Sequence, residues 1–311
     1  MNSVIYTLEM FDSFEERFSD ALLIMAIDNE ERSIHALKRI AERKEGIKDI
    51  IVLYYNEEDL QQKKVCDLMN DIRMKTDYKK IFLPKPQLHY IESLRKEINI
   101  NAYSKIIIDI SSVLTPFLFL TMMYIRATNP NAEIYVINTI PFDYSFLGSP
   151  FEEFKYHYGD LKMEELLGFR GADGNLTDND LFIFSGFEGP LSLIAEEETL
   201  YKNLFIINAL PGYHQKYKDI SLVSNYKLLS SKKHKRIYAP SENPFEVYNI
   251  LDKYIDSNKG ASIVPLCTKP TSLGICMYAI DHPDVRVLYP FSDEYGFERS
   301  RGVYKSVIYF I

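Results

Sequence analysis

Short, continuous apolar runs alternate along the chain with amphipathic stretches. In the first half, the apolar runs lie at residues 22–27, 49–55, 80–83, 105–110 and 133–137. Runs of Ile, Val and Leu without polar alternation are typical of strands buried on both faces of a parallel sheet. Apolar side chains recur at helical spacing in the stretches 33–41, 58–75, 90–98 and 115–127. Strict alternation of strand and helix predicts βαβ units around a parallel sheet.

The same order is repeated in the second half of the chain. Predicted strands lie at 180–184, 203–207, 235–240, 261–266 and 285–289, and predicted helices at 245–255 and 270–280. The segment KRIYAP at 235–240 matches KKIFLP at 79–84, including the closing proline. Any two α/β domains share a similar rhythm, but the matching prolines favour a duplication. The sequence therefore predicts an α/β fold of two tandem Rossmann-like halves, each a three-layer structure with a parallel sheet, related by internal duplication.

The predicted boundaries are a first Rossmann-like domain at 1–150, a loop-rich connection at 151–179 and a second Rossmann-like domain at 180–311. The connection is rich in glycine and contains one candidate strand, near residues 163–169. Residues 303–311 are predicted to form a final edge strand, and the start of the chain a further short strand.

Length and charge narrow the function classes. A chain of 311 residues is long enough for two domains of ordinary size. Its net charge of −8 argues against general nucleic-acid binding, which normally needs a basic face. A small anionic ligand remains compatible, because backbone N–H groups and one lysine can bind a phosphate in an acidic protein.

The cysteine content and the hydropathy pattern predict where the protein works. Three cysteines without close spacing indicate neither a disulfide framework nor a zinc site, and favour a reducing compartment. The start of the chain does not resemble a signal peptide. The longest apolar stretch, residues 113–125, is too short to cross a bilayer. We therefore expect a cytoplasmic protein that does not bind membranes.

Ligands of open parallel sheets bind outside the carboxyl ends of the strands, so the loops that follow the strands are the candidate sites. The strongest candidate is residues 266–272, between a predicted strand and a helix. Thr268 or Thr271 can cap that helix, and Lys269 is placed to meet a phosphate or a carboxylate. The alternative is an ordinary helix cap beside a solvated lysine.

The counterpart of this loop in the first half is residues 109–116, which carry Ser111, Ser112 and Thr115. It again offers hydroxyl groups and a helix-starting proline after a buried strand, but no lysine. Helix capping alone is the alternative explanation. If both loops bind, they are expected to approach a single ligand from two sides.

Two further loops follow the first strand of each half. The first carries Asp28, Glu30 and Arg32, and the second carries Gly186 and Glu188. The charged side chains are candidates to recognise ribose hydroxyls or a base edge, and the glycine permits close backbone approach. Neither loop has the G-x-G-x-x-G pattern of a dinucleotide site. Acidic residues that favour a helix N-terminus are the alternative explanation.

Motifs of well-known catalytic and metal sites do not occur in the sequence. It contains no HExxH, no Walker A motif, no G-x-S-x-G elbow and no His or Cys residues at metal-ligand spacing. We therefore expect no metal, and assign neither catalytic residues nor a cofactor.

The loops at 108–116 and 265–271 resemble the ligand loop of CRISPR-associated Rossmann-fold sensor domains, in which a strand leads through a Ser/Gly/Thr-rich turn into a helix. The resemblance covers about fifteen residues and implies cyclic oligoadenylate as ligand and a role in prokaryotic antiviral defence. In that family two domains pair across a two-fold axis, and some cut the ligand slowly. This chain departs from the pattern where glycine is expected, at Val113, Leu114 and Cys267.

Three functional hypotheses follow. The first is a binding protein whose two lobes form a cleft for a nucleotide-like or phosphorylated ligand and signal to a protein partner. The second is a two-lobe enzyme acting on a nucleotide, sugar or phosphoester. There Lys269 and the serines at 111 and 112 would stabilise charge, and Asp28, Glu30 or Glu188 would act as general base. The third is a scaffold subunit of a multi-protein complex.

Overall fold

The computed structural model describes residues 5–7, 18–42, 47–54, 67, 77–82, 87–144, 157–256, 259–295 and 300–311. The chain forms two compact units. Lobe 1 comprises Met1–Ser145 with Phe297–Ile311, and lobe 2 comprises Phe146–Gly296. Each lobe is built on its own sheet.

The sheet of lobe 1 contains seven strands. In spatial order they are β1 (Ile5–Thr7), β15 (Lys305–Phe310), β6 (Glu133–Ile140), β5 (Lys105–Asp109), β2 (Leu22–Ala26), β3 (Asp49–Tyr54) and β4 (Asp77–Phe82). The strands from β6 to β4 run parallel. β15 is antiparallel to both of its neighbours. Every residue of β2 is buried, because both faces of this central strand are covered.

Three α-helices of lobe 1 lie in the described part of the chain: α1 (His35–Glu42), α2 (Gln87–Glu97) and α3 (Thr115–Thr128). α2 packs against α3, and α1 contacts β6. A 3-10 turn, Glu31–Ile34, leads into α1. These elements confirm the predicted helices at 33–41, 90–98 and 115–127. The helix predicted at 58–75 lies outside the described residues, apart from residue 67.

The sheet of lobe 2 contains six strands. In spatial order they are β11 (Lys235–Ala239), β10 (Asn203–Ala209), β9 (Asp180–Phe184), β12 (Ala261–Pro265), β13 (Val285–Tyr295) and β8 (His157–Arg170). All are parallel except β8, which is antiparallel to β13. The remaining short strands, β7 (Asp143–Tyr144) and β14 (Ser300–Arg301), pair with each other in lobe 1.

The helices of lobe 2 form two packed groups. One consists of α4 (Gly189–Glu197), α5 (Gln215–Ser224) and α6 (Tyr226–Ser231), and the other of α7 (Pro244–Tyr254) and α8 (Lys269–Asp281). α7 begins where the Asn243 side chain accepts hydrogen bonds from the N–H groups of Phe245 and Glu246, as a preferred helix cap does. The first group was not predicted from the sequence.

The two lobes share one topology, as the predicted internal duplication requires. Numbered along the chain, the five parallel strands have the spatial order 3-2-1-4-5 in both sheets. The registers agree as well, because Ile51 lies opposite Lys79 in lobe 1 and Phe205 lies opposite Lys235 in lobe 2. This is the pairing that the match between 79–84 and 235–240 predicts. In each lobe the order reverses between the first and fourth strands, at β2/β5 and at β9/β12.

The end of the chain differs from its predicted place. Residues 303–311 were assigned to the second domain as an edge strand, but β15 lies between β1 and β6 in lobe 1. The physical reason is that the fifth parallel strand of each sheet exposes unpaired backbone groups, which favour a further strand. In lobe 2 that edge, on β13, is already paired with β8, and β8 lies within the predicted connection 151–179. In lobe 1 the corresponding edge, on β6, is paired with β15.

Among the helices that the structure describes, none is long and apolar enough to cross a membrane.

Candidate functional site

The switch point of lobe 1 gathers four buried charged side chains. Asp28, Glu30 and Arg32 follow β2, and Asp109 is the last residue of β5. Their exposed fractions are 7, 4, 5 and 2%. Such residues are almost never fully buried unless they are paired. We call these four side chains the polar cluster.

Hydrogen bonds fix the part of the polar cluster that follows β2. The Asp28 carboxylate accepts from the Glu30 N–H at 2.8 Å. Arg32 Nε donates to Glu30 Oε2 at 2.5 Å, and Ser300 Oγ donates to the same oxygen at 2.8 Å. Burial alone would lower the pKa of Arg32, but Glu30, Tyr144 and Asp28 raise it above its ordinary value. Arg32 therefore carries its charge at every working pH.

Asp109 uses only one of its two carboxylate oxygens within the described structure. The N–H and the hydroxyl of Ser111 both donate to Oδ1, at 2.9 and 2.5 Å. Oδ2 is buried and finds no hydrogen-bond partner among the described residues. Burial raises the pKa of Asp109 to about 6, against the lowering effect of Ser111 and Arg32, while Asp28 raises it further. Arg32 and Asp28 thus act electrostatically on Asp109 across the switch point.

Three hydroxyl residues, Ser111, Ser112 and Thr115, follow β5. Ser111 Oγ, besides donating to Asp109, accepts from the Thr139 N–H at 2.8 Å, so it connects β5 to β6. Ser112 and Thr115 are buried beside it. Leu114 holds the N-cap position of α3, so the capping explanation does not account for these hydroxyls. All six first-half candidates are buried, and they lie in the segments that follow β2 and β5, the two strands of the switch point.

The switch point of lobe 2 is built on close packing. A Cβ atom added to Gly186 would overlap the carbonyl oxygen of Leu266, and one added to Gly189 would overlap that of Ser224. Glycine at 186 thus allows the loops after β9 and β12 to approach each other. The Gly186 carbonyl also accepts from the side chains of Ser221 and Asn225, both at 2.9 Å. The predicted close approach is therefore to neighbouring backbone.

The residues predicted around α8 form a local hydrogen-bonded turn. Thr268 is the N-cap residue of α8. Its hydroxyl donates to the Ser241 carbonyl at 2.7 Å and lies 2.9 Å from the Thr271 hydroxyl. Lys269 is partly exposed as the first helical residue. Glu188 is partly buried at the N-cap of α4. The N-terminus of α8 with its lysine is suited to an anionic group.

Lobe 2 lacks two of the carboxyl groups of the polar cluster. Asp109 lies opposite Met25 in lobe 1, and Val264 lies opposite Ile183 in lobe 2. Met25 and Ile183 are equivalent, because the first and second parallel strands pair in the same register in both lobes. Val264 therefore holds the position of Asp109 and Gly186 that of Asp28, whereas Glu188 holds the position of Glu30 and keeps its acidic group.

Sequence analysis missed two members of this region. Asp109 was not chosen, although an acidic residue closing the apolar run KIIID is an available signal. Ser300 was not predicted because its contact with Glu30 joins residues 270 positions apart in the chain. Among the described residues, no group of His, Cys, Asp and Glu side chains could hold a metal ion.

Comparisons with known proteins give no family. No protein-family model matches the sequence, and no curated protein matches it. Among the solved structures that are similar, two match over most of the chain. One is a universal stress protein from Archaeoglobus fulgidus DSM 4304, with 13% identity, a TM-score of 0.26, and coverage of 88% of this chain and 96% of that one.

The second similar structure is the cytoplasmic domain of a prokaryotic cation chloride cotransporter. It shows 9% identity and a TM-score of 0.29, and the match covers 89% of this chain and 98% of that one. Neither is a CRISPR-associated sensor. At these TM-scores the similarities carry no functional inference, and the Rossmann-like assignment rests on the strand order described above.

Proposed function

We propose that the protein binds a nucleotide-like or phosphorylated small ligand, and that the polar cluster of lobe 1 forms part of the binding site. The observation that carries the proposal is the buried Oδ2 of Asp109, to which no residue of the described chain donates a hydrogen bond. A buried acceptor without a donor costs about 1–3 kcal/mol, and more when it is charged. A ligand that donates to this oxygen would remove that cost.

The position of the cluster supports ligand binding over a structural role. In doubly wound sheets the crevice at the switch point is where ligands bind. A purely structural feature of the fold would be expected in both lobes, but Val264 and Gly186 replace Asp109 and Asp28 in lobe 2. The carboxyl groups of Asp109 and Asp28 are therefore not a requirement of the fold, because lobe 2 has the same strand order without them.

The N-terminus of α8 supports an anionic part of the ligand. Lys269 and the N–H groups of the first turn favour a phosphate, and Thr268 and Thr271 shape that turn. That one ligand contacts this loop and the polar cluster together stays a prediction. So does the sensor role in prokaryotic defence, with cyclic oligoadenylate as ligand and a protein partner as recipient of the signal.

A second candidate function is catalysis on a nucleotide, sugar or phosphoester. The observation that favours it is Asp109, whose pKa burial raises to about 6. A general acid or base works best when its pKa lies near the working pH. Product formation during incubation with a bound nucleotide, measured by chromatography, distinguishes this function from binding alone.

The test is a thermal-shift screen against mono-, di- and cyclic nucleotides, with titration calorimetry of every hit. A ligand present at about 100 times its Kd adds about 2.7 kcal/mol of stability, which raises Tm by several degrees. We expect at least one nucleotide to stabilise the wild type and to bind Asp109→Asn more weakly. The matched control is Asp173→Asn, which makes the same change at an exposed acid of lobe 2. Equal binding by all three proteins would contradict the proposed site, and failure of every nucleotide would contradict the proposed function.

A further inference from the structure

We propose that the polar cluster binds the vicinal hydroxyl pair of a ribose, and that phosphate binds elsewhere. This inference rests on the proposed function, because it names the part of the ligand that the cluster recognises. It differs from the simplest expectation, which is that the phosphate of the ligand binds at the switch point.

The charges of the cluster disfavour an anion. Three carboxyl groups face one guanidinium, and the Arg32 guanidinium is already engaged by Glu30 through a 2.5 Å hydrogen bond. A phosphate brought to Asp109 would meet a carboxylate in a buried, weakly screened environment, where repulsion between like charges is large. An anionic group therefore does not fit beside Asp109.

A cationic group would be attracted by the three carboxyl groups, but it has no acceptor for the Arg32 guanidinium, which acts on Asp109 in the same cluster. A hydroxyl group avoids both conflicts, since it is neutral and can donate one hydrogen bond while accepting others. It can donate to Asp109 Oδ2 and leave its own oxygen to accept from a cationic donor. A vicinal pair offers two such groups at a fixed spacing, and acidic side chains bind ribose hydroxyls in this way in dinucleotide-binding folds.

Exposed aromatic side chains at the same end of the sheet favour a base attached to that ribose. Phe142 and Tyr304 are 64 and 53% exposed. They lie on adjoining segments, because the Phe142 N–H donates to the Gly302 carbonyl and the Tyr304 N–H to the Ile140 carbonyl. The second of these segments begins with Ser300, which bonds to Glu30 of the cluster. Aromatic faces stack on bases of any sequence, so a nucleoside fits this end of lobe 1 better than a free sugar.

The experiment compares the four ribonucleosides with their 2′,3′-dideoxy analogues by calorimetry on the unaltered protein, with inorganic phosphate as a separate ligand. We expect at least one ribonucleoside to bind, its dideoxy analogue to bind at least about tenfold more weakly, and Asp109→Asn to weaken only the ribonucleoside. Asp173→Asn serves as the matched control. The comparison of ligands needs no variant, so it stands even where Asp109→Asn does not fold.

Each outcome decides the inference. Equal affinity for a ribonucleoside and its dideoxy analogue would overturn it. Nucleotide binding without any nucleoside binding would also overturn it, because phosphate would then carry the recognition, and the proposed function would survive. If neither nucleosides nor nucleotides bind, both the inference and the proposed function fail.

Discussion

The buried carboxyl of Asp109 should make wild-type stability depend on pH in an unusual direction. Burial raises the pKa of Asp109 from 3.8 to about 6, so the folded protein takes up a proton at higher pH than the unfolded chain. The stabilisation from this protonation is complete below pH 3.8 and is lost as the pH rises through 6. Lowering the pH from neutrality should therefore stabilise the fold through this residue, whereas paired carboxylates have the opposite effect.

The magnitude follows from the two pKa values. The pKa of Asp109 is 3.8 in the unfolded chain and about 6 in the folded protein. The free energy of unfolding should therefore rise by about 2 kcal/mol as the pH falls from about 7.5 to about 4.5. Other groups of the protein titrate in the same range, and Asp28, Glu30, Arg32 and Tyr144 lie around the site. The effect must therefore be measured as a difference between the wild type and a variant in which Asp109 alone cannot titrate.

The assay is urea unfolding of the wild type and of Asp109→Asn across this pH range, without added ligand. The amide can still accept from Ser111, so the turn after β5 is retained. We expect the stability of the wild type relative to Asp109→Asn to rise by about 2 kcal/mol as the pH falls. Asp173→Asn, compared with the wild type in the same way, should show no such rise.

Two results would refute this reasoning. A difference that does not change with pH would mean that the carboxyl is not desolvated as described. A difference that falls with decreasing pH would mean that Asp109 is a stabilised carboxylate, with a donor for Oδ2 within the chain itself.

Three further predictions concern the switch points. Gly186→Ala should lower the free energy of unfolding in urea by more than about 2 kcal/mol, because the added Cβ would overlap a carbonyl oxygen. As the control, Gly174→Ala should change the stability little, because its Cβ meets nothing within 4 Å. Ser300→Ala leaves buried Glu30 without one donor, so it should cost about 1–3 kcal/mol and speed amide exchange at 300–301. Burial raises the pKa of Cys267 to about 12, so peptide mapping after alkylation near pH 8 should show it reacting at least about tenfold more slowly than free cysteine.

The central strands of both lobes were predictable because each is buried on both faces. Such strands must be mainly apolar, as β2 is throughout and β9 is after Asp180, and the helices between them must show a 3.6-residue period. The duplication was predictable for the same reason, since residues 79–82 (KKIF) and 235–238 (KRIY) occupy equivalent positions in the third strands of the two sheets.

The position of β15 was not predictable from local pattern. Its four central residues, 306–309, are buried, which marks a strand, but nothing in a strand's own residues names the edge that it will pair with. Sequence proximity assigned it to lobe 2. It pairs instead with β6, about 165 residues earlier in the chain, because β8 already occupies the equivalent edge of lobe 2.

The candidate site was partly predictable. The rule that ligands bind at the carboxyl ends of strands selected the loops of Asp28 and Ser111, and the structure places both at one switch point. Sequence analysis ranked the loop of Lys269 highest, because a lysine at a helix N-terminus is suited to bind a phosphate or a carboxylate. It could not reveal that Asp109 keeps a buried oxygen without a described donor, because that depends on the three-dimensional contacts of every neighbouring group.

The most direct test of ligand binding at the polar cluster is amide hydrogen–deuterium exchange, measured by mass spectrometry. The protein is compared with and without a saturating mixture of mono-, di- and cyclic ribonucleotides. Exchange reports the local opening of each segment. We predict slower exchange in the mixture at residues 27–33 and 110–115, and loss of that protection in Asp109→Asn. Unchanged exchange in both segments, with or without protection in other parts of the chain, would contradict a ligand site at the polar cluster.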